Sequence, residues 1–186
     1  DAAAQDRADP VAVPLRPDVL LSLDGSLSMA GAHMDTARDY FRLILVDAQA
    51  GGSAANYGYQ EWSTSRVGYC LQQIYAGVPV PDADQTSAIL GWLACSPSSC
   101  PSGQGPVPYG GTATNEALWQ ARRHYLTSIF PSDPSYPCRK YIVLLLTDGA
   151  FSCTGDPCPT ASLLGDAGVS VIAIAHGGLP VSYVYC

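Results

Sequence analysis

The chain has 186 residues, of which 47% are hydrophobic and 13% are charged. This length is enough for one domain with a substantial core, and this composition excludes a disordered chain. The net charge of −7 argues against a nucleic-acid partner, because little positive charge is present to neutralise phosphates. No apolar run approaches the roughly 20 residues that cross a bilayer, so we expect no membrane insertion.

The first residues, "DAAAQDRADP", contain neither a signal peptide nor an initiator methionine. We therefore expect a mature or trimmed fragment. Residues 1–17 show no periodicity and are predicted to be a linker or an extended lead-in. Residues 18–186 are predicted to form a single domain.

The first half of this domain alternates strand and helix patterns. "DVLLSLD" (18–24) is a continuous apolar run, typical of a strand buried on both faces. Apolar residues at helical spacing then predict an amphipathic helix over 31–48, which "GGS" ends. "NYGYQEWS" and "RVGYCLQQIYA" are rich in Tyr and Val and predict a strand pair, in the form of a hairpin. A short helix is predicted around 85–94.

The second half continues the alternation after a long loop at 96–111, and long ordered loops often carry function. An amphipathic helix is predicted over 113–130, and "KYIVLLLTDG" is the strongest buried strand of the chain. A helix near 159–167 and the strand "VSVIAIAH" follow, and "GGLPVSYVYC" is expected to add one more strand. Strands that alternate with helices predict an α/β fold with a mostly parallel sheet covered on both faces.

Seven cysteines are present, and four of them form two C-x4-C pairs in loops, "CSPSSC" and "CTGDPC". Disulfides are the favoured interpretation, which implies an oxidising compartment and an exported, surface or periplasmic protein. Unpaired thiols and a zinc site stay open, although zinc loops more often use C-x2-C and no histidine lies near either pair. The odd count leaves one thiol free or paired outside the fragment, and the connectivity is not assigned.

Oxygen-bearing side chains stand where the predicted strands end. Asp24, Ser26 and Ser28 follow the first strand, Thr112 lies at a glycine-to-helix junction, and Asp148 ends the most apolar strand. In a parallel sheet, the carboxyl ends of neighbouring strands form the binding edge. Two carboxylates and three hydroxyls are hard ligands that suit Mg²⁺, or alternatively Mn²⁺ or Ca²⁺. If an aspartate binds only through water, the cation still attracts an outside carboxylate from a partner protein.

Each of these residues also has an ordinary structural interpretation. Asp24 and Ser26 would serve as a helix cap or a turn, Thr112 as an N-cap, and the Asp148–Gly149 pair as a turn after a strand. The three segments together, in this order and each at a predicted junction, favour the metal site over three unrelated caps.

Three motifs carry a resemblance to the von Willebrand factor type A family: "DGSLS" matches its D-x-S-x-S signature, and "GGTAT" and "LLLTDG" look like its second and third motifs. The resemblance covers about residues 18–176. It implies a doubly wound sheet and a complete metal-ion-dependent adhesion site. By motif position, the ligands would be Asp24, Ser26, Ser28, Thr112 and Asp148. The family usually adds a further strand and a closing helix, and little sequence remains here to form that helix. The lead-in, or residues beyond the fragment, would have to supply it.

A narrower resemblance concerns "YPCRKYIVLLLTDG" and "YGGTATNEALWQARRHYL", which look like the type A domain of bacterial type IV pilus tip adhesins. Both cysteine-bearing loops should then lie near the metal edge and brace it. The expected rim of the ligand site contains Gly111, Gly149, Cys153 and Cys158.

The resemblance implies a non-enzymatic adhesion module on an exported bacterial surface or pilus. Its protein partner would be a host or matrix protein, or another subunit of its own assembly. The alternatives are a structural or assembly module and a Mg²⁺-dependent phosphohydrolase. The hydrolase chemistry needs a second Asp two residues after the first, where this chain has Ser26, and no positioned Lys is evident. A serine hydrolase is disfavoured because G-x-S-x-G is absent and because the three histidines are expected near no matching Ser/Asp set and mostly on helix surfaces. They are His33, His124 and His176.

Overall fold

A computed structural model describes residues 15–52, 55–63, 85–95, 105–106, 108–149 and 155–177. Four parallel strands form its sheet, in the order β2-β1-β3-β4. They are β1 (Asp18–Asp24), β2 (Asn56–Trp62), β3 (Tyr141–Thr147) and β4 (Val169–Ala175). The predicted α/β class with a parallel sheet is confirmed.

The helices follow the predicted periodicity, with bounds shifted by a few residues. They are α1 (Ala32–Ala50), α2 (Thr86–Leu93), α3 (Thr114–His124), α4 (Phe130–Ser132) and α5 (Cys158–Asp166). A 3₁₀ turn at Leu27–Met29 precedes α1, and a π-helical turn at Tyr125–Ile129 joins α3 to α4. The helix predicted over 113–130 is therefore composite. The apolar residues that predicted this helix still face the core, since Tyr125 and Ile129 are both buried.

Each face of the sheet is covered by helices, so the strands are apolar on both sides. On one face, Leu21 and Leu23 of β1 pack with buried residues of α1 and α2 such as Phe41 and Ile89. On the other face, Leu20 of β1 belongs to a second cluster formed with α3, the π turn and α5. This alternation along β1 explains why the strand appears in the sequence as an unbroken apolar run.

Two buried polar contacts join the elements that support the site. The Ser22 hydroxyl in β1 accepts hydrogen bonds from Gln60 Nε2 at 2.8 Å and from Trp62 Nε1 at 3.1 Å, which ties β1 to β2. On the helical side, the buried Arg38 guanidinium donates through Nε and Nη2 to the Leu93 carbonyl, at 3.0 and 2.6 Å. Arg38 thereby joins α1 to the last residue of α2.

The amino-terminal edge of the sheet carries a separate polar cluster. Arg139 donates to Asp133, and the Tyr141 hydroxyl donates to Asp133 Oδ2 at 2.7 Å. Burial raises the pKa of Asp133, but hydrogen bonds from Arg139, from Tyr141 and from the Ser135 amide outweigh it and hold that pKa below its usual value.

Several predictions lie outside the described residues. These are the residues of the lead-in before 15, the second Tyr-rich segment "RVGYCLQQIYA", most of the 96–111 loop, and the strand predicted in "GGLPVSYVYC". The domain bounds likewise stay a prediction. Within the described ranges, no helix combines the length and the hydropathy needed to span a membrane.

Candidate metal centre

The order of the strands creates a divergence at one edge of the sheet. From β1 the chain passes through α1 to β2 on one side, and it later returns to place β3 on the other side of β1. The connections that leave β1 and β3 therefore run in opposite directions. This is the topological switch point at which open α/β sheets bind ligands.

The loop after β1 brings its two serines together. Ser26 N donates to Asp24 Oδ1 at 2.8 Å, which fixes a tight turn at the end of the strand. The Gly25 amide donates to the Trp62 carbonyl at 2.7 Å, and a Cβ at Gly25 would lie 3.2 Å from that carbonyl oxygen, so the close approach favours glycine. The Ser26 and Ser28 hydroxyls then lie 2.9 Å apart.

The end of β3 contributes the second carboxylate. Ser28 Oγ donates to Asp148 Oδ1 at 2.8 Å, although the two residues are 120 positions apart in the chain. Next to Asp148, the Thr147 hydroxyl donates to Asp24 Oδ2 at 2.5 Å. The loops after β1 and β3 are thus joined through both aspartates.

Thr112 reaches the same place from the loop before α3. Backbone hydrogen bonds of 2.8 and 2.9 Å connect residues 109–110 with residues 25–27 and hold the two loops side by side. A Cβ at Gly149 would lie 3.0 Å from Thr112 Oγ1 and 3.8 Å from Ser28 Oγ. Both hydroxyls therefore lie within 4 Å of one point beside Asp148.

The structure thus brings all five sequence-predicted residues to one edge of the sheet. Their chemistry is that of two carboxylates and three hydroxyls, which fits a hard divalent cation better than a soft one. In the described part of the chain, no group of three or more His, Cys, Asp or Glu side chains is placed to hold a metal ion. The five-residue set has only two carboxylates, so a metal held by this set has to use the hydroxyls as well.

Burial makes this pocket unfavourable for negative charge in the absence of a cation. Asp24 is 0% exposed, and burial raises the pKa of its carboxyl to about 6. Hydrogen bonds from Thr147 and Ser26 act in the opposite direction, and the negative charge of Asp148 adds to the increase. A bound cation would offset this cost.

One neighbouring carboxylate was missed in the sequence. Glu61 of β2 is buried, and its Oε1 lies 3.1 Å from the position that a Cβ would take at Gly25. The Tyr59 hydroxyl donates to Glu61 Oε2 at 3.3 Å. The sequence signal that could have identified Glu61 is a charged residue near the carboxyl end of a strand that is otherwise buried.

The histidines were expected near no matching Ser/Asp set and mostly on helix surfaces, but the structure places two of them, His33 and His176, at this edge of the sheet. A Cβ at Gly177 would lie 3.2 Å from His33 Cε1 and 3.8 Å from Asp148 Cβ, and the rings of His33 and His176 are in contact. The reason is topological. The first turn of α1 and the residue after β4 both belong to the edge at which β1 and β3 end.

Of the two cysteines predicted at the rim, the structure describes one. Cys95 and Cys158 are disulfide-bonded, whereas Cys138 is an exposed free thiol. The cysteines that pair with Cys95 and Cys158 lie outside the described residues, so the connectivity stays unassigned. Of the predicted rim, Gly111, Gly149 and Cys158 lie within the described residues, whereas Cys153 lies outside them.

Comparison with solved structures finds the same architecture in larger proteins. Proximal thread matrix protein 1 (PTMP1) of the mussel byssus aligns with a TM-score of 0.63 and 20% identity over 91% of this chain and 40% of its own. A further structure of PTMP1, with a zinc-occupied MIDAS motif (metal-ion-dependent adhesion site), aligns with a TM-score of 0.57 and 18% identity over 91% of this chain and 40% of its own. The pilus adhesin SpaC of Lactobacillus rhamnosus GG aligns with a TM-score of 0.58 and 19% identity over 86% of this chain and 24% of its own. Manganese-loaded Plasmodium vivax TRAP protein aligns with a TM-score of 0.62 and 16% identity over 87% of this chain and 58% of its own.

The chain spans less than two thirds of each of these proteins, and the low identities make the likeness one of fold alone. No protein-family model and no curated protein matches the sequence. The four-stranded parallel sheet, its switch point and these structural neighbours together show that the chain has the fold of a von Willebrand factor type A domain.

Proposed function

We propose that this chain is a metal-dependent adhesion or protein-binding module without enzymatic activity. Its cation would be Mg²⁺, with Mn²⁺ and Ca²⁺ as alternatives, held by Asp24, Ser26, Ser28, Thr112 and Asp148. A carboxylate of a partner protein would complete the coordination. The observation that carries this proposal is the convergence of five oxygen-bearing side chains from three separate loops at the switch point of the sheet.

The pattern of hydrogen bonds indicates which residues are oriented before a cation binds and which would exchange a hydrogen bond for coordination. Asp24 is fixed by Thr147 and by the Ser26 amide, so its carboxylate is oriented before any ion arrives. The Ser26 hydroxyl bonds the Ser28 hydroxyl, which donates to Asp148, and a cation would replace these contacts with direct coordination. When bound, the cation supplies the positive charge that attracts an acidic side chain.

The site is accessible to a large partner. Ser28 is exposed, and Asp148 and Gly149 are partly exposed. Leu27, between the two serines, has 63% of its surface exposed. This apolar side chain beside the site would be removed from water when a partner protein docks, which favours binding.

The neighbours support this function as analogy. Zinc in the MIDAS motif of the mussel protein, manganese in TRAP and the adhesin role of SpaC are properties of those proteins. They favour a divalent ion and a protein ligand here as well. We propose an exported location on a bacterial surface or pilus tip, with a host or matrix protein, or another subunit of the same assembly, as the partner.

Calorimetric titration of the metal-free protein with Mg²⁺, Mn²⁺ and Ca²⁺ tests the metal site. We expect one ion per chain, no detectable binding in Asp148→Ala, and weaker binding in Gly149→Ala, because the new Cβ would press on Thr112 Oγ1 at 3.0 Å. Ser162→Ala, an exposed position on α5, is the control and should bind as the wild type does. Unchanged affinity in both site variants would contradict the proposal.

Partner binding is tested separately, with immobilised matrix proteins and with other subunits of its own assembly. Binding that needs Mg²⁺ and is lost in Asp148→Ala supports the proposal. Binding to a matrix protein would indicate adhesion, and binding to a protein of its own assembly would indicate an assembly role. Hydrolysis of a phosphate monoester that is lost in the same variant would instead favour the phosphohydrolase.

The predicted brace around the rim has its own test. Replacing Cys153 and Cys158 with Ser should weaken partner binding more than Mg²⁺ binding, because the loops would then have to be ordered when the partner docks. An unchanged partner affinity would mean that these cysteines only stabilise the fold.

A further inference from the structure

We propose that His33 and His176 form a second cation site, for a borderline transition-metal ion such as Zn²⁺. This site uses none of the five oxygen-bearing residues, although it lies beside Asp148, and it does not depend on the function proposed above. It would use two imidazole nitrogens, with its remaining positions open to water or to a side chain of a partner.

The two residues come from opposite ends of the chain to the same place. His33 lies in the first turn of α1, and His176 directly follows β4, where its amide donates to the Thr147 carbonyl at 2.9 Å. The ring centroids are 5.0 Å apart with an interplanar angle of 79°. The Cε1–Nδ1 edge of His33 faces Gly177, with 3.2 and 3.5 Å from these atoms to the position of a Cβ there.

The separation of the rings matches that of paired metal ligands. Two imidazoles bound at about 2.0 Å to one tetrahedral Zn²⁺ have their ring centroids about 5 Å apart. The rings are also edge-on rather than parallel, so their planes do not stack on each other.

An unpartnered nitrogen provides the second observation. His33 Nδ1 is shielded from solvent and has no hydrogen-bond partner in the described part of the chain. A buried polar atom without a partner is costly, and an edge-on ring contact does not satisfy it. A metal ion bound at this nitrogen would.

The choice of ion follows from the ligands. Imidazole suits Zn²⁺, Co²⁺, Ni²⁺ and Cu²⁺, whereas the carboxylate and hydroxyl set suits Mg²⁺, Mn²⁺ and Ca²⁺. The pair is also near the surface. His176 is partly exposed, and the ring of Tyr40, 48% exposed, lies 6.3 Å from that of His176. One edge of the sheet would therefore hold two ions of different classes.

The test is a Zn²⁺ titration in a parent variant with Asp24→Ala, which removes the oxygen site, and Cys138→Ser, which removes the free thiol of the described residues. His33→Phe and His176→Phe keep a ring in place but remove the ligand. Each should lower Zn²⁺ affinity at least about ten-fold, and His124→Phe on α3 is the matched control with no expected loss. Zn²⁺ affinity equal to that of the parent in both variants overturns the proposal.

A second measurement keeps the test valid if a phenylalanine variant does not fold. In the wild type, Ni²⁺ should broaden the imidazole proton resonances of His33 and His176 and leave those of His124 sharp. Equal broadening of all three, or none, contradicts the pair. In an otherwise wild-type chain, His33→Phe and His176→Phe should still bind Mg²⁺, because all five oxygen-bearing residues are kept, so failure of this site and failure of the oxygen site can be told apart.

Discussion

Replacement of Asp24 by Asn should stabilise the protein in the absence of metal while it abolishes Mg²⁺ binding. Asp24 is fully buried, and in the folded protein the pKa of its carboxyl is about 6, against an ordinary value of 3.8. The difference of about two pH units corresponds to about 3 kcal/mol of free energy that the ionised carboxylate costs the fold. Asn keeps the shape and one oxygen acceptor but carries no charge. Both carboxylate oxygens of Asp24 accept hydrogen bonds, from the Ser26 amide and from Thr147, so the amide group of Asn loses one of them and the net gain is smaller than about 3 kcal/mol.

The sign of the pH dependence follows from the direction of the shift. Below pH 3.8 the carboxyl is protonated in both the folded and the unfolded states, and the cost is absent. Between pH 3.8 and about 6 only the unfolded state has released its proton, so wild-type stability falls as the pH rises. Above pH 6 the cost is complete, and the advantage of Asp24→Asn should reach its plateau there.

Thermal and urea unfolding in a chelator, at pH 4 and at pH 8, measure this difference. For a domain of this size, about 3 kcal/mol corresponds to a Tm difference of about 6–12 °C, which we take as the upper limit at pH 8, with little difference at pH 4. Asp39→Asn, an exposed carboxylate on α1, should change stability by less than about 0.5 kcal/mol. Mg²⁺ at a hundred times its Kd should add about 2.7 kcal/mol to the wild type alone. An Asp24→Asn protein less stable than the wild type at pH 8 without metal would refute the reasoning.

Three further substitutions test the surrounding fold. Ser22→Ala removes the common acceptor of two buried donors of β2 and should cost about 2–4 kcal/mol in urea unfolding, with Mg²⁺ affinity retained. Arg38→Met should cost about 2 kcal/mol, because the buried carbonyl at the end of α2 loses its charged donor, and a neutral result would mean that packing alone holds α1 to α2. Asp133→Asn should destabilise at neutral pH but not in strong acid. The pKa of Asp133 is held low mainly by Arg139, so its stabilisation is present above the ordinary aspartate pKa and is lost as the pH falls through the lowered value; equal loss at all pH values would contradict this.

The residues that end strands could be predicted because they interrupt strong local patterns. Asp24 and Asp148 each close an apolar run, and the rule that parallel strands share a carboxyl edge then brings them together. Glu61 could not be placed in this way, because β2 is buried on both faces and its sequence has no alternation that shows which way a side chain points. The contact between His33 and His176 depends on the lengths of elements 143 positions apart. No local pattern contains that information.

The hydrogen bonds between residues 109–110 and residues 25–27 have a mechanical consequence. They join the loop that carries Ser26 and Ser28 to the loop that carries Thr112. Asp24 and Asp148 each lie at the end of a core strand. A displacement of residues 109–110 would therefore pass through these two hydrogen bonds to the backbone of Gly25 and Leu27, on either side of Ser26. The positions of Thr112 and of the two serines are thus coupled by direct contact between loops, without a path through the sheet.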